Sequence, residues 1–162
     1  MIIGVLSDIH DNLANLRSAL RILQNGGAAE LVFCGDFCSP IPARELASFA
    51  GPIHCVLGNG DGDPLTIAGF ANHTHLKLYG PYADIEVGGS RIAITHYPIY
   101  GQALARTGDY AAVFSGHTHE YRQEQFGNCV WLNPGEVMGW KGRPTCATYD
   151  TSSRLVQRLE IL

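Results

Sequence analysis

Five short apolar runs divide this sequence, and each is followed by a side chain that can bind a metal ion or a proton. Runs of this length and composition are typical of buried β-strands. Because ligands of open α/β sheets bind beyond the carboxyl ends of the strands, we expect these side chains to meet in one site. The runs are 2–6, 31–35, 53–58, 91–95 and 113–116, and the residues that follow are Asp8, His10, Asp36, Asn59, His96, His117 and His119.

Two of these strand ends share the same spacing. Asp8 and His10 are two residues apart, and so are His117 and His119. On extended backbone, residues i and i+2 point to the same side, so each pair is expected to leave its strand end together. A lone Asp-x-His pair is weak, because a polar turn explains it equally well. Five strand ends that all deliver such residues are much harder to explain as turns.

The order of the predicted elements indicates an α/β fold. Leucines at helical spacing over 13–23, and a second helix that Pro40 opens and that carries Phe49, alternate with the first three strands. This βαβαβ pattern implies parallel strands with right-handed crossovers. The second half favours hairpins at 83–95, 120–132 and 145–161, short helices at 64–70 and 101–107, and a turn at 133–135. Two mixed β-sheets with helices outside accommodate both halves in a single domain over residues 1–162.

Composition excludes several classes of function. With 162 residues, 46% hydrophobic and 16% charged, the chain has enough apolar surface for one sizeable core. A net charge of −4 gives no basic footprint for nucleic acid, and no apolar stretch reaches the ~20 residues of a membrane span. No secretory pattern precedes Arg17, so a cytoplasmic location is expected. The cysteines are odd in number and are expected to be free thiols: Cys34, Cys38, Cys55, Cys129 and Cys146.

Other histidines and aromatic residues are expected to have structural roles. His54 lies within a predicted strand and is expected to pack in the core or at an edge. His73 and His75 have the same two-residue spacing as His117 and His119. Because no buried apolar run precedes them, we interpret them as part of a surface turn. Packing is also expected for the aromatic residues near the strand ends, which could instead line a cleft: Tyr97, Tyr100, Trp131 and Trp140.

The seven strand-end residues exceed what one tetrahedral zinc ion can bind. They suit two divalent ions bridged by a carboxylate, and Asp36 is the natural bridge because it is central in the order of strand ends. Mixed oxygen and imidazole ligands without a thiolate fit Mn, Fe, Zn, Co or Ni better than Mg or Ca. Two such ions ~3.5–4 Å apart can hold a bridging hydroxide and clamp a phosphoryl oxygen. The set therefore predicts phosphoester hydrolysis.

The motifs of the strand ends resemble those of the calcineurin-like metallophosphoesterases, and more narrowly their small prokaryotic phosphodiesterase branch. The resemblance extends from Ile2 to about Gly135. It implies a four-layer αββα fold, with one ion held by Asp8, His10, Asp36 and His119 and the other by Asp36, Asn59, His96 and His117. The motifs are Asp8-x-His10, Gly35-Asp36, Gly58-Asn59, Thr95-His96 and Gly116-His117-Thr118-His119.

The resemblance implies a hydrolase that attacks a small phosphodiester with a hydroxide bridging two ions, Mn being the expected metal. Asn59, Asp61 and His96 are the expected catalytic residues, with Asn59 steadying a phosphoryl oxygen. The alternative is a weakly active or non-catalytic scaffold, since the same fold occurs in a retromer-type subunit. The intact set of ligands favours the enzyme. Hairpin edges in the second half could also pair with another subunit.

One position departs from the family pattern. Many members have a histidine after the Gly-Asn motif that protonates the leaving oxygen, and here that place is Gly60. A general acid typically contributes ~10²–10⁴-fold, so we expect slow turnover and a preference for esters with acidic leaving groups. Water or Asp61 is left to supply the proton. Glu136 stands where a serine is common in this branch, and no role is assigned to it.

Overall fold

Two mixed β-sheets pack face to face in this computed structural model, which describes residues 1–162. The strands are β1 (Ile2–Leu6), β2 (Glu30–Phe33), β3 (Ile53–Cys55), β4 (Leu76–Leu78), β5 (Tyr82–Val87), β6 (Ser90–Thr95), β7 (Ala112–Phe114), β8 (Tyr121–Phe126), β9 (Cys129–Pro134), β10 (Thr145–Asp150) and β11 (Val156–Glu160). The helices are α1 (Leu13–Asn25), α2 (Pro40–Leu46), α3 (Pro64–Ala71) and α4 (Pro98–Ala105).

Each sheet combines parallel and antiparallel strands. The first has the order β11-β10-β1-β2-β3-β4, in which β1 to β4 and β11 run in one direction and β10 runs against them. The second has the order β5-β6-β7-β9-β8, in which β6, β7 and β9 are parallel. The expected α/β architecture is therefore confirmed. The carboxyl ends of the parallel strands in both sheets carry the predicted ligands.

Three apolar clusters separate the layers. The cluster between the sheets contains Val5 and Val32 from the first sheet and Ile94 and Phe114 from the second, all fully buried. A larger cluster packs α1, α2 and α3 against the outer face of the first sheet. The third packs α4 against the second sheet around the buried Trp131. These layers give the αββα order that the resemblance implies.

Side chains at the helix starts connect the helices to the ends of the strands. Asn12 caps α1 by accepting a hydrogen bond from the backbone N–H of Asn15 at 3.1 Å. Ser39 and Asp63 cap α2 and α3 in the same way, each followed by a proline at the first helical positions. Such caps satisfy backbone donors that lack a partner within the helix. The loops that carry the ligands are therefore followed by helices whose first turns are held by these caps.

Strand β4 was not predicted. It adds a fourth parallel strand at the edge of the first sheet, with Leu76 buried and Lys77 exposed. A segment of three residues with a lysine in the middle is too short and too polar to predict a strand from the sequence. It is a strand because it pairs with β3. The preceding His73 and His75 lie in a turn, as expected, and the His75 ring contacts the carbonyl of Phe49 at 2.7 Å.

The expected turn at 133–135 is wrong, because β9 continues through Asn133 and Pro134 in register with β8. The chain bends only at Gly135, whose φ of 82° lies in the left-handed region. Helix α4 begins at Pro98, earlier than expected, and α2 ends at Leu46, before Phe49. None of the helices is both long and apolar enough to cross a membrane. All five cysteines are free, as predicted.

Candidate metal centre

The structure brings all seven predicted ligands to one edge of the sheets. A cavity of about 500 Å³ at this edge is lined by five of them: His10, Asp36, Asn59, His117 and His119. Asp8 and His96 lie behind them and are buried. The ligands come from β1, β2 and β3 of one sheet and from β6 and β7 of the other. Convergence of strand ends, rather than proximity in the sequence, builds the site.

The backbone at these ligands is not extended, which corrects the expectation for the two-residue spacing. A left-handed φ at a non-glycine residue costs roughly 1–2 kcal/mol, and strain of this kind concentrates at functional sites. Each pair converges through two left-handed residues rather than through the alternation of a strand. The residues are Asp8 (55°), His10 (43°), Asp36 (67°), His117 (73°) and His119 (65°).

Two glycines leave room for the carboxylates. A Cβ atom at Gly116 would overlap Ser7 Oγ and the carboxylate of Asp8. A Cβ atom at Gly58 would overlap the carboxylate of Asp36. The glycines of the Gly-His and Gly-Asn motifs are therefore required by the packing of buried carboxylates, and not only by turn geometry.

The first cluster consists of Asp8, His10 and His119. Asp8 Oδ1 lies 3.4 Å from His119 Nε2 and 3.8 Å from His10 Nε2. Neither Asp8 Oδ1 nor His10 Nε2 has a hydrogen-bond partner, although both atoms are buried. Buried polar atoms are almost always paired, so two unpaired ligand atoms facing each other fit a cation between them.

The second cluster consists of Asp8, Asp36 and His96. Asp36 Oδ2 lies 3.4 Å from His10 Nε2 and 3.5 Å from His96 Nε2, so it stands between the two clusters. Asn59 Oδ1 is 3.1 Å from His96 Nε2. The ring of His117 is 5.1 Å from that of His96, centroid to centroid. The oxygen and nitrogen donors fit a divalent ion of the Mn, Fe, Co, Ni or Zn group.

Glu136, to which the sequence assigns no role, contacts one of the predicted ligands. It is buried, and its Oε2 is 2.6 Å from His119 Nδ1, which leaves Nε2 of that ring facing Asp8. Its other oxygen accepts backbone N–H groups of Lys141 and Gly142. A carboxylate on the second nitrogen of a metal-binding imidazole fixes the tautomer and the orientation of the ring. The sequence signal was the departure from the family pattern at this position, where a serine is common, but it did not indicate a role.

The imidazoles of His10 and His96 are also held through their Nδ1 atoms. His96 Nδ1 lies 2.8 Å from the carbonyl oxygen of Cys34, which accepts a hydrogen bond from it. His10 Nδ1 contacts Cys38 Sγ at 3.0 Å. In each ring the Nε2 atom is thereby turned towards Asp36. The free thiol of Cys38 is thus placed beside a ligand, whereas the other four cysteines are buried.

The charges at the site favour the metal-binding forms of the ligands. Burial acts to raise the pKa of Asp8, but His10, Ser7, His96 and His119 outweigh it and hold the pKa below its usual value. Burial, together with His96, lowers the pKa of His117. At neutral pH Asp8 is therefore ionised and His117 is neutral, which are the protonation states that bind metal.

Asp61 lies outside the cavity and holds its loops. Its carboxylate accepts backbone N–H groups of Phe37 and Gly58, each at 2.7 Å, and of Cys38 at 3.1 Å. Burial raises its pKa, and these hydrogen bonds act in the opposite direction. Because both carboxylate oxygens are occupied by the backbone, the geometry argues against the suggested role of Asp61 as a proton donor.

A loop after β9 forms the open wall of the cavity through Met138, Trp140 and Lys141. Trp140 is 70% exposed, and its ring lies 5.9 Å from that of His119. Trp131 is buried, as expected, but Trp140 lines the cavity instead of packing elsewhere. Lys141 is the cationic side chain of the lining, and its Nζ donates to the carbonyl oxygen of Thr118 at 2.9 Å.

Residues 1–154 match the calcineurin-like phosphoesterase superfamily domain. The chain belongs to that superfamily. This membership confirms the predicted family, and with it the enzyme class, a hydrolase acting on phosphoester bonds. The chain is 29% identical over 158 residues to a phosphodiesterase of Methanocaldococcus jannaschii, and the match covers 95% of each protein.

Solved structures extend the similarity to the fold. A structure described as a novel archaeal phosphodiesterase superposes with a TM-score of 0.91 at 28% identity and covers 99% of each chain. A Vps29 variant from Entamoeba histolytica superposes with a TM-score of 0.71 at 18% identity over the full length of both chains. At that level of identity the second likeness concerns the fold alone.

Proposed function

We propose that this chain, acting as one domain, is a phosphodiesterase that uses two divalent ions, with Mn²⁺ as the expected metal. One observation carries the proposal: Asp8 Oδ1 and His10 Nε2 are buried, unpaired and directed at each other. Asp36 Oδ2 lies near the Nε2 atoms of both His10 and His96, which supports a role for its carboxylate at both ions. When bound, the ions would supply a hydroxide at neutral pH and neutralise charge on the phosphoryl oxygens.

Other residues at the cavity would orient the phosphodiester. Asn59 is exposed at the mouth, and its side-chain oxygen faces His96, so its amide nitrogen is available to a phosphoryl oxygen. Lys141 would add a positive charge on the opposite wall. The expected catalytic role of His96 is then to hold the second ion and Asn59 together. Asp61 would keep the loops of Asp36 and Gly58 in register.

A small phosphodiester is the substrate class that we favour. The relative from M. jannaschii is named a phosphodiesterase. Gly60 has no side chain to donate a proton at the cavity, and the ammonium group of Lys141 is engaged by the carbonyl oxygen of Thr118. Hydrolysis would therefore depend on the leaving group and favour esters of acidic alcohols, such as phenols, over alkyl esters.

The direct test is hydrolysis of bis(4-nitrophenyl) phosphate by chelator-stripped protein before and after Mn²⁺ is added. We expect activity only with the metal, and Asp36→Asn should abolish it because the shared oxygen loses its charge. Asp109→Asn, at an exposed position far along the chain, is the matched control and should behave like the unaltered protein. No activity with Mn, Ni, Co, Fe or Zn in folded protein would refute the proposal.

The same experiment addresses the alternative of a scaffold protein. The likeness to Vps29 is a likeness of fold, and nothing at the metal centre favours loss of catalysis, since every expected ligand is present. A scaffold would bind metal without hydrolysing any diester. Comparison of aryl with alkyl diesters then tests the missing proton donor, and equal rates on both would contradict it.

A further inference from the structure

A second cavity, of about 560 Å³, lies beside the metal centre. Its walls come from the loop before β5, the end of β6 and one side of α4. None of the side chains that line it is charged. We call it the tyrosine groove, after Tyr82, Tyr97 and Tyr100, which lie in its wall together with Pro81 and Leu104.

The groove and the metal centre share a wall. Tyr97 follows His96 directly, and its ring lies 5.2 Å from that of His96 and 4.9 Å from that of His117. The other side of the same residue belongs to the groove, where its ring is 5.9 Å from that of Tyr100. A molecule bound at the ions would therefore reach the groove by passing one aromatic ring.

The groove opens at the same edge of the sheets as the metal centre. Thr95, at its floor, pairs with Tyr82 and immediately precedes His96. The carbonyl oxygen of Gly80 accepts the backbone N–H of Leu57 at 2.6 Å, which ties the loop before β5 to the loop that carries Asn59. The position of the groove relative to the ions is therefore fixed by backbone contacts.

The chemistry of the wall restricts what it can hold. The hydroxyl of Tyr82 is engaged by Tyr110 at 2.7 Å, and Tyr110 in turn donates to Asp84 at 3.3 Å. The remaining side chains offer an occupant aromatic rings, hydrocarbon and a few uncharged hydroxyl groups. Concave apolar surface of this kind binds apolar ligands, and a charged group would lose its hydration without gaining a partner.

We propose that the tyrosine groove binds one ester substituent of the substrate, and that this substituent is uncharged and aromatic or hydrocarbon. The inference rests on the proposed phosphodiesterase function and narrows its substrate class. The phosphoryl group would lie at the ions while the substituent passes Tyr97. Diesters whose substituents both carry charge are then poor substrates.

Two phosphonate esters test the groove: methyl phenylphosphonate and methyl methylphosphonate. Their P–C bond is not hydrolysed, and methoxide is so basic a leaving group that cleavage of the P–O bond should be slow. We measure their inhibition constants against hydrolysis of bis(4-nitrophenyl) phosphate by the Mn²⁺-loaded protein. Because burial of a phenyl ring removes far more apolar surface than burial of a methyl group, the phenyl compound should bind about tenfold tighter or better. Equal constants would overturn the inference.

A variant that places a positive charge in the groove provides a second test. Ala103 is exposed on α4 and lines the groove, so Ala103→Arg keeps a good helix former and should remove the preference for the phenyl compound. Ile99→Arg, on the same helix but outside the groove and 74% exposed, should keep the preference. Retention of the preference in both variants would contradict the inference.

A second readout does not use activity. Saturation-transfer NMR with benzyl alcohol and metal-free protein should show binding to the unaltered protein and to Ile99→Arg, and a loss of at least half of the signal in Ala103→Arg. If diesters are hydrolysed but both phosphonates bind equally, the groove assignment alone fails. If no diester is hydrolysed, the proposed function fails with it. A change of oligomeric state in Ala103→Arg would assign the groove to a second copy of the chain.

Discussion

The carboxylate of Glu136 sets the position of one imidazole of the metal centre. Glu136→Gln keeps the size of the side chain and an acceptor for the backbone N–H groups of Lys141 and Gly142, but it removes the negative charge beside His119. Loss of such a partner typically lowers metal affinity about 10–100-fold, and we expect a loss in this range. Titration calorimetry with Mn²⁺ and chelator-stripped protein measures it.

The control is Glu86→Gln, which makes the same change at an exposed position of β5. Its Mn²⁺ affinity should equal that of the unaltered protein. If Glu136→Gln also leaves the affinity unchanged, the carboxylate has only a structural role in the loop that follows β9.

Gly60 has little free space on the side where a Cβ atom would lie. Its backbone N–H donates to Asp36 Oδ1 at 2.7 Å, and a Cβ atom would lie 3.1 Å from Asp36 Oδ2. Gly60→Ala should therefore reduce metal-dependent hydrolysis by pushing on the shared carboxylate. Gly60→His pushes equally but adds a proton donor, so it should exceed Gly60→Ala on phosphomonoesters by about 10²-fold.

Steady-state rates on 4-nitrophenyl phosphate, with both variants saturated with Mn²⁺, provide the measurement. The alanine variant is the control, because it separates crowding of Asp36 from proton transfer. Identical monoesterase rates in the two variants would mean that the absent histidine does not limit the reaction.

Two helical glycines differ in the space that is available for a Cβ atom. A Cβ atom at Gly101 in α4 would lie 2.8 Å from Trp131 Nε1, whose N–H donates a hydrogen bond to Ser115 Oγ. Gly69 in α3 has nothing within 4 Å. Gly101→Ala should destabilise the protein by about 1–3 kcal/mol through overpacking. Gly69→Ala should stabilise it by about 0.5–1 kcal/mol, because alanine is the better helix former.

Urea unfolding of both variants at equal protein concentration measures these changes in the free energy of unfolding. Since the substitution is the same and only the surroundings differ, each variant is the control for the other. Stabilisation by Gly101→Ala would mean that α4 moves away from Trp131 to accept the methyl group, and destabilisation by Gly69→Ala would contradict the prediction for α3.

For the secondary-structure elements, the sequence predicts the strands better than it predicts how the ligands at the ends of the strands meet. The apolar runs that end in Asp8, Asp36 and His96 correctly located the strand ends, because burial of both sheet faces leaves a clear apolar signal. The left-handed backbone at His10 and His119 could not be predicted, since it is imposed by contacts between loops. β4 and the role of Glu136 also depend on neighbours distant in sequence.

For the whole molecule, metal binding and folding should be coupled. The centre joins strand ends from both sheets, and the unfolded chain does not hold these ligands together. At a free Mn²⁺ concentration of 100 times Kd, one such ion would stabilise the fold by about 2.7 kcal/mol. For a chain of this size that corresponds to a rise in Tm of roughly 5–10 °C, measured by calorimetry with chelator and then with metal.

Asp36→Asn serves as the control for the thermal experiment. Its Tm should respond little to Mn²⁺, because the oxygen placed to be shared by both clusters has lost its charge. An equal rise in this variant would place the stabilising ion elsewhere on the protein.

The position of β1 has a consequence for synthesis on the ribosome. This first strand is internal to its sheet, with β2 on one side and β10, at Thr145–Asp150, on the other. Until the last hairpin has left the exit tunnel, one edge of β1 stays unpaired and open to other chains. Between the synthesis of β1 and that of β10 this edge is therefore exposed to aggregation, and chaperone binding to β1 should end only when β10 docks.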